Sequence, residues 1–163
     1  MNVLVLCTGN SARSILAEVL INELGEGRFR AFSAGSQPAG KVNPGAIDKL
    51  ERAGHSTRGL ASKSWDDFSG PDAQTIDLVI TVCDNAAGES CPIWNGSPVT
   101  VHWGIPDPAA VTGSDDAIRE AFDLAYERLR SRISPLVELD PDEIDRETLA
   151  RIHQQAPGEA AAR

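Results

Sequence analysis

Asn2-Val3-Leu4-Val5-Leu6-Cys7-Thr8-Gly9-Asn10-Ser11-Ala12-Arg13-Ser14 stands directly behind the first methionine, and the fold turns on how it is read. Val3 to Leu6 alternates valine and leucine without a polar break, which is a β-type run of strand length. Cys7 to Ser14 is small and polar, as a loop is. From Arg13 to Leu24 the apolar residues Ile15, Leu16, Val19, Leu20 and Leu24 recur at the spacing of one helix face, and Gly25 and Gly27 end it. The segment reads as strand, loop, helix.

That alternation continues. Arg30 to Ala34 predicts a second strand, ended by Gly35. Asn43-Pro44 predicts a helix with proline just inside its start, carrying Ala46, Ile47 and Leu50 and ending near Gly54. Ala61 to Pro71 is loop or short helix. Ile76 to Val82 is a near-continuous apolar run, suited to a parallel sheet covered on both faces. Asp84 to Pro98 is a long polar loop, and Val99 to Trp103 a fourth strand. Ser114 caps a long helix with Ile118, Phe122, Ala125, Leu129 and Ile133 on one face. Asp140-Pro141-Asp142-Glu143 has the cap, proline and acidic residue that predict a last helix running to about Gln155. The expected fold is α/β: three layers, with a four-stranded parallel sheet between helices. Residues 1–139 form the domain, 140–155 a helical extension, and 156–163 a tail expected to be disordered. Ligands in such sheets bind at the carboxyl ends of strands. Cys7 to Ser14, Cys83 to Cys91 and Gly104 to Pro108 all follow predicted strands.

Composition narrows the function. The 163 residues carry a formal net charge of −9 and a pI near 4.7. No basic stripe is available to track phosphates, so nucleic acid is not an expected partner. No apolar run approaches the roughly 18 residues of a membrane span, and no basic leader precedes the first strand. A cytoplasmic monomer is expected. Three cysteines, an odd number, favour catalytic or redox use over a static disulfide framework. His55, His102 and His153 form no ligand cluster, and Cys83 and Cys91 lack the partner pair of a zinc knuckle. Trp65, Trp94 and Trp103 are too dispersed for a base-stacking platform.

The loop's residues suit an anion. Successive backbone N–H groups over Thr8, Gly9, Asn10, Ser11, Ala12, Arg13 and Ser14, opening a helix, make a nest for a tetrahedral oxyanion. Arg13 can grip two anion oxygens. The same field is expected to lower the Cys7 pKa toward a thiolate, and Ser14 can hydrogen-bond that thiolate. Asp107, before Pro108, can serve as a general acid.

With these residues in view, the chain resembles the low-molecular-weight protein tyrosine phosphatases. Cys7-Thr-Gly-Asn-Ser-Ala-Arg13-Ser14 is closer still to the arsenate reductases that share their fold, the thioredoxin-coupled type. Ser33-Ala34-Gly35, Val42-Asn43-Pro44, Ile80-Thr81-Val82-Cys83 and His102-Trp103-Gly104-Ile105-Pro106-Asp107-Pro108 support the resemblance, which spans about Asn2 to Leu139. It implies the phosphotyrosine phosphatase I-like fold, with Cys7 as nucleophile, Arg13 as oxyanion ligand and Asp107 as acid. It also implies a thiol relay from Cys7 to Cys83 to Cys91 that reduces arsenate to arsenite, with phosphate and sulfate as analogues of the substrate. The electron donor would be external: thioredoxin, or glutathione with glutaredoxin, since the Cys83–Cys91 stretch is one residue longer than the thioredoxin-coupled pattern. The alternatives are phosphomonoester hydrolysis and non-catalytic oxyanion binding. Against hydrolysis, Pro108 is followed by Ala109-Ala110-Val111 and not by the aromatic residues that wall a phosphotyrosine pocket. Ala12 stands where some members carry a further cysteine. The family's potassium site has Asn10, Glu18 and Ser33 here, but Ser62-Lys63 where an aspartate is expected. A lysine ammonium can replace the cation, so no metal and no bound cofactor are expected.

Overall fold

A computed structural model describes residues 1–83 and 92–156. Four strands, β1 (Asn2–Cys7), β2 (Arg30–Gly35), β3 (Leu78–Thr81) and β4 (Val99–His102), form one sheet in the order β2-β1-β3-β4. Every pairing is parallel. Helix α1 (Arg13–Leu24) carries the chain from β1 to β2, and α2 (Pro44–Arg52) follows β2. The long helix α3 (Asp115–Glu138) follows β4, and α4 (Arg146–Gln155) ends the described chain.

Period-two alternation assigns the sheet's two faces. Val3 and Val5 pack with Ile15, Leu16, Leu20, Leu50, Phe122 and Leu129, and Leu149 and Ile152 join the same cluster, so the four helices of the described residues lie on that side. Leu4 and Leu6 point the other way, into a smaller cluster with Phe68, Ile76, Val79 and Trp94. Among the described residues the cover there includes a short 3-10 turn, Trp65–Phe68, and Trp94, whose ring meets Trp65 edge-on. Both faces of β1 are therefore sealed, as its all-apolar sequence requires.

Two boundaries differ from expectation. Of the Ile76–Val82 run, Leu78–Thr81 is regular strand; Asp77 and Val82 still donate to Asn2 O and Leu6 O of β1 at its two ends, while Ile76 N–H turns to Asn95 O. The predicted last helix is broken. Asp140-Pro141 starts a single 3-10 turn, Pro141–Glu143, and Asp145 then caps α4 afresh, its carboxylate accepting from the Thr148 N–H at 2.8 Å. A second capping residue inside the segment wins over continuity. Leu149 and Ile152 of α4 are buried in the main core, and the Trp103 indole donates to Leu149 O at 3.2 Å. Ala156 is buried, and 157–163 lie outside the described residues.

The order β2-β1-β3-β4 reverses direction at β1. Chain leaving β1 turns toward β2, and chain leaving β3 turns toward β4, so a crevice opens at their carboxyl ends. Cys7 ends β1, and Cys83 lies two residues past β3.

Candidate active site

The loop after β1 is held by its carbonyls. Thr8 O accepts from the Gln37 N–H at 3.0 Å, Gly9 O from Ala39 N–H at 2.9 Å, and Ser11 O from Asn43 N–H at 2.9 Å. The Ser62 hydroxyl adds a bond to Gly9 O at 3.0 Å. A trans peptide points its N–H opposite to its C=O. With these oxygens turned outward, the N–H groups of Gly9, Asn10 and Ala12 are turned inward. Helix α1 begins with no side-chain cap on Ala12, so its first N–H groups have no side-chain acceptor.

Asn10 takes a left-handed φ of 45° at a fully buried position. Asparagine tolerates that conformation better than most residues. Its amide donates to Ser14 Oγ at 2.8 Å and accepts from the Lys63 N–H at 2.8 Å. Asn10 and Ser14 thus lie behind the loop, with their side chains bonded to each other.

In front lies a cavity of about 170 Å³, lined by Cys7, Thr8, Gly9, Ser11, Ala12 and Arg13 from the loop, with Cys83 and Asp107 opposite. Arg13 Nη1 donates to Ile105 O at 2.9 Å, and Nη2 lies 3.6 Å from Asp107 Oδ2. Its Nε is buried without a hydrogen-bond partner, an arrangement that calls for an acceptor. Asp107 caps the 3-10 turn Pro108–Ala110 through the Ala109 N–H at 2.9 Å. Proline holds the chain there, and the cap orients the carboxylate toward Arg13.

Cys7 and Cys83 are both buried, and neither is in a disulfide. The Thr8 N–H donates to Cys83 Sγ at 3.2 Å, and Thr8 Oγ1 lies 3.5 Å from the same sulfur. Cys7 lines the same cavity as Cys83. This overturns the expected depression of the Cys7 pKa. The neighbouring Cys83 and then burial push the Cys7 thiol up, against the opposing pull of Arg13 and the Thr8 N–H. Two adjacent thiols do not ionise together, so the pair titrates in separate steps.

Beside the loop, Lys63 Nζ stands 3.8 Å from Glu18 Oε1, and Ser33 Oγ donates to the same carboxylate oxygen. Burial raises the Glu18 pKa, while Ser33 and Lys63 oppose the rise. Among the described residues no group of His, Cys, Asp and Glu could hold a metal ion. Tyr126, the one tyrosine, is buried with its hydroxyl 2.6 Å from His55 Nε2, well away from the cavity lining. Cys91 lies outside the described residues. The loop's outer supports, Gln37, Ala39 and Ser62, carry no signal in the sequence, because a backbone N–H and a lone serine make no pattern.

Comparison with known proteins agrees with this geometry. A curated arsenate reductase from Halalkalibacterium halodurans is 32% identical over 133 residues, covering 82% of this chain and 92% of that protein. One from Staphylococcus aureus strain N315 is 35% identical over 129 residues, covering 78% and 94%. The crystal structure of arsenate reductase from Archaeoglobus fulgidus superposes with a TM-score of 0.62 at 26% identity, covering 84% of this chain and 99% of the other. The model of the low molecular weight phosphotyrosine protein phosphatase family matches residues 2–150. The chain belongs to that family.

Proposed function

We propose that this chain reduces arsenate to arsenite with electrons from an external thiol. The observation that carries the reading is a second cysteine inside the cavity: Cys83 lines it together with Cys7 and accepts from the Thr8 N–H at 3.2 Å. Hydrolysis of a phosphoester has no use for it, whereas reduction of an oxyanion adduct requires it.

Arsenate enters the cradle of loop N–H groups and meets Arg13. Cys7 loses its proton and its sulfur bonds to arsenic. One oxygen leaves as water, with Asp107 passing it the proton. Cys83, also giving up its proton, then attacks the Cys7 sulfur. The S–S bond forms, and the S–As bond breaks with its electron pair going to arsenic, which falls from As(V) to As(III) and leaves as arsenite. Cys91 next attacks Cys83, which frees the Cys7 thiol and forms a Cys83–Cys91 disulfide. Thioredoxin, or glutathione with glutaredoxin, reduces that bond. The Lys63 ammonium beside Glu18 serves where relatives use potassium. The enzyme acts as a cytoplasmic monomer.

The phosphatase reading is disfavoured by the cavity lining, which among the described residues contains no aromatic side chain to stack on a phosphotyrosine ring. The test is arsenate-dependent NADPH oxidation with thioredoxin and its reductase, with glutathione and glutaredoxin in parallel. Turnover abolished by Cys83→Ser supports the reading. Hydrolysis of p-nitrophenyl phosphate with no arsenite formed in either assay overturns it.

A further inference from the structure

We propose that Lys41 is the residue that draws the oxyanion to the cavity, an inference that rests on the oxyanion site proposed above. A chain with a net charge of −9 repels a dianion at long range. Attraction must therefore come from the site's own surroundings. Among the described residues, Arg13, Lys41 and Lys63 stand on or beside the segments that build the cradle, with the carboxylates of Asp107 and Glu18 next to them.

Two of those cations already face a carboxylate. Arg13 lies 3.6 Å from Asp107, and Lys63 3.8 Å from Glu18. Lys41 is exposed and has no hydrogen bond or ion pair among the described residues. Its backbone is nonetheless pinned to the rim. Ala39 N–H bonds to Gly9 O and Asn43 N–H to Ser11 O, each at 2.9 Å, so anchors two residues away on either side are tied to residues that line the cavity. Gly40 takes a φ of 90°, and its N–H donates to Ser62 Oγ at 3.3 Å; that hydroxyl itself bonds to Gly9 O. A mobile ammonium on a fixed stem beside the cradle acts on approach and not on the bound anion, because Lys41 does not line the cavity. It governs kcat/KM and anion affinity, and leaves kcat alone.

The test is titration of arsenate and of inorganic phosphate into wild type, Lys41→Gln, Lys41→Glu and Arg30→Gln, with arsenate kinetics alongside. Arg30 removes the same charge at the opposite end of β2. Near 10 mM salt, Lys41→Gln is expected to bind about threefold and Lys41→Glu about tenfold more weakly, by Coulomb's law over about 10 Å in water. The differences should vanish near 0.5 M salt, where the Debye length is only a few ångströms. The kcat should hold, and Arg30→Gln should match wild type. Lys41→Glu with wild-type affinity at low salt overturns the proposal, as does an equal loss in Arg30→Gln or a loss that persists at high salt. A wild-type protein that binds neither anion points instead to failure of the oxyanion site itself.

Discussion

Gly35→Ala tests whether the cradle's geometry depends on a close approach between β1 and β2. Gly35 is the register partner of Cys7. A Cβ at position 35 would lie 2.9 Å from Cys7 O and nearer still to Thr8 O, where ordinary contact begins at 3.4 Å. Both obstacles are backbone, and Thr8 O is already committed to the Gln37 N–H. The β1 end and the loop must therefore shift by upwards of about half an ångström, and displacements near 1 Å in a catalytic constellation cost about 100-fold. We expect kcat/KM for arsenate to fall about 10- to 100-fold. Phosphate affinity should fall with it, and stability should drop by about 1–3 kcal/mol from overpacking. Arsenate kinetics, phosphate titration and urea unfolding on the same preparation give all three. A folded Gly35→Ala protein with wild-type kcat/KM and phosphate affinity would refute the argument that this contact sets the loop.

Three further outcomes are expected. Asn10→Ala loses both side-chain bonds and places alanine at a left-handed φ, which should cost about 2–4 kcal/mol in urea unfolding; Asn10→Gly should recover about 1 kcal/mol of that, and a cost for alanine below about 1 kcal/mol contradicts the pinning role. Cys83→Ala removes the largest influence holding the Cys7 thiol up, so Cys7 should be alkylated by iodoacetamide faster at neutral pH and titrate lower; an unchanged pH profile counts against that influence. His153 accepts from Arg132 Nε at 3.1 Å through Nδ1, and burial, then Arg132 and His102, lower its pKa. Its contribution to stability is therefore complete above the ordinary histidine value of 6.5 and lost as pH falls through the lowered one. His153→Gln, which never charges, should flatten the fall in Tm between about pH 7.5 and 5, and an unaltered slope would exclude this histidine as the cause.

Much of this molecule is written locally. The apolar run Val3–Leu6, the three-and-four spacing of α1, the Asn43-Pro44 cap and the Ser114 cap each depend on neighbours within a few residues, so helix and strand identities are legible in the residues themselves. The same holds for Cys7, Thr8, Gly9 and Arg13, whose spacing lies on one loop. Asp145 shows the limit even of local rules: two capping signals five residues apart compete, and packing of Ile144, Leu149 and Ile152 into the core accompanies the outcome. Tertiary structure alone decides the rest. Thr8 and Cys83 are 75 residues apart and meet because β1 and β3 are neighbours in the sheet. Ser62 and Lys63 reach Gly9 and Asn10 across 53 residues. The Cys7 pKa follows from those meetings. An isolated loop would leave it under the helix and Arg13, which lower it, whereas the folded chain buries the thiol and sets a second one against it. Side-chain chemistry and short-range periodicity are properties of the sequence; proximity, burial and the electrostatics they create are properties of the strand order.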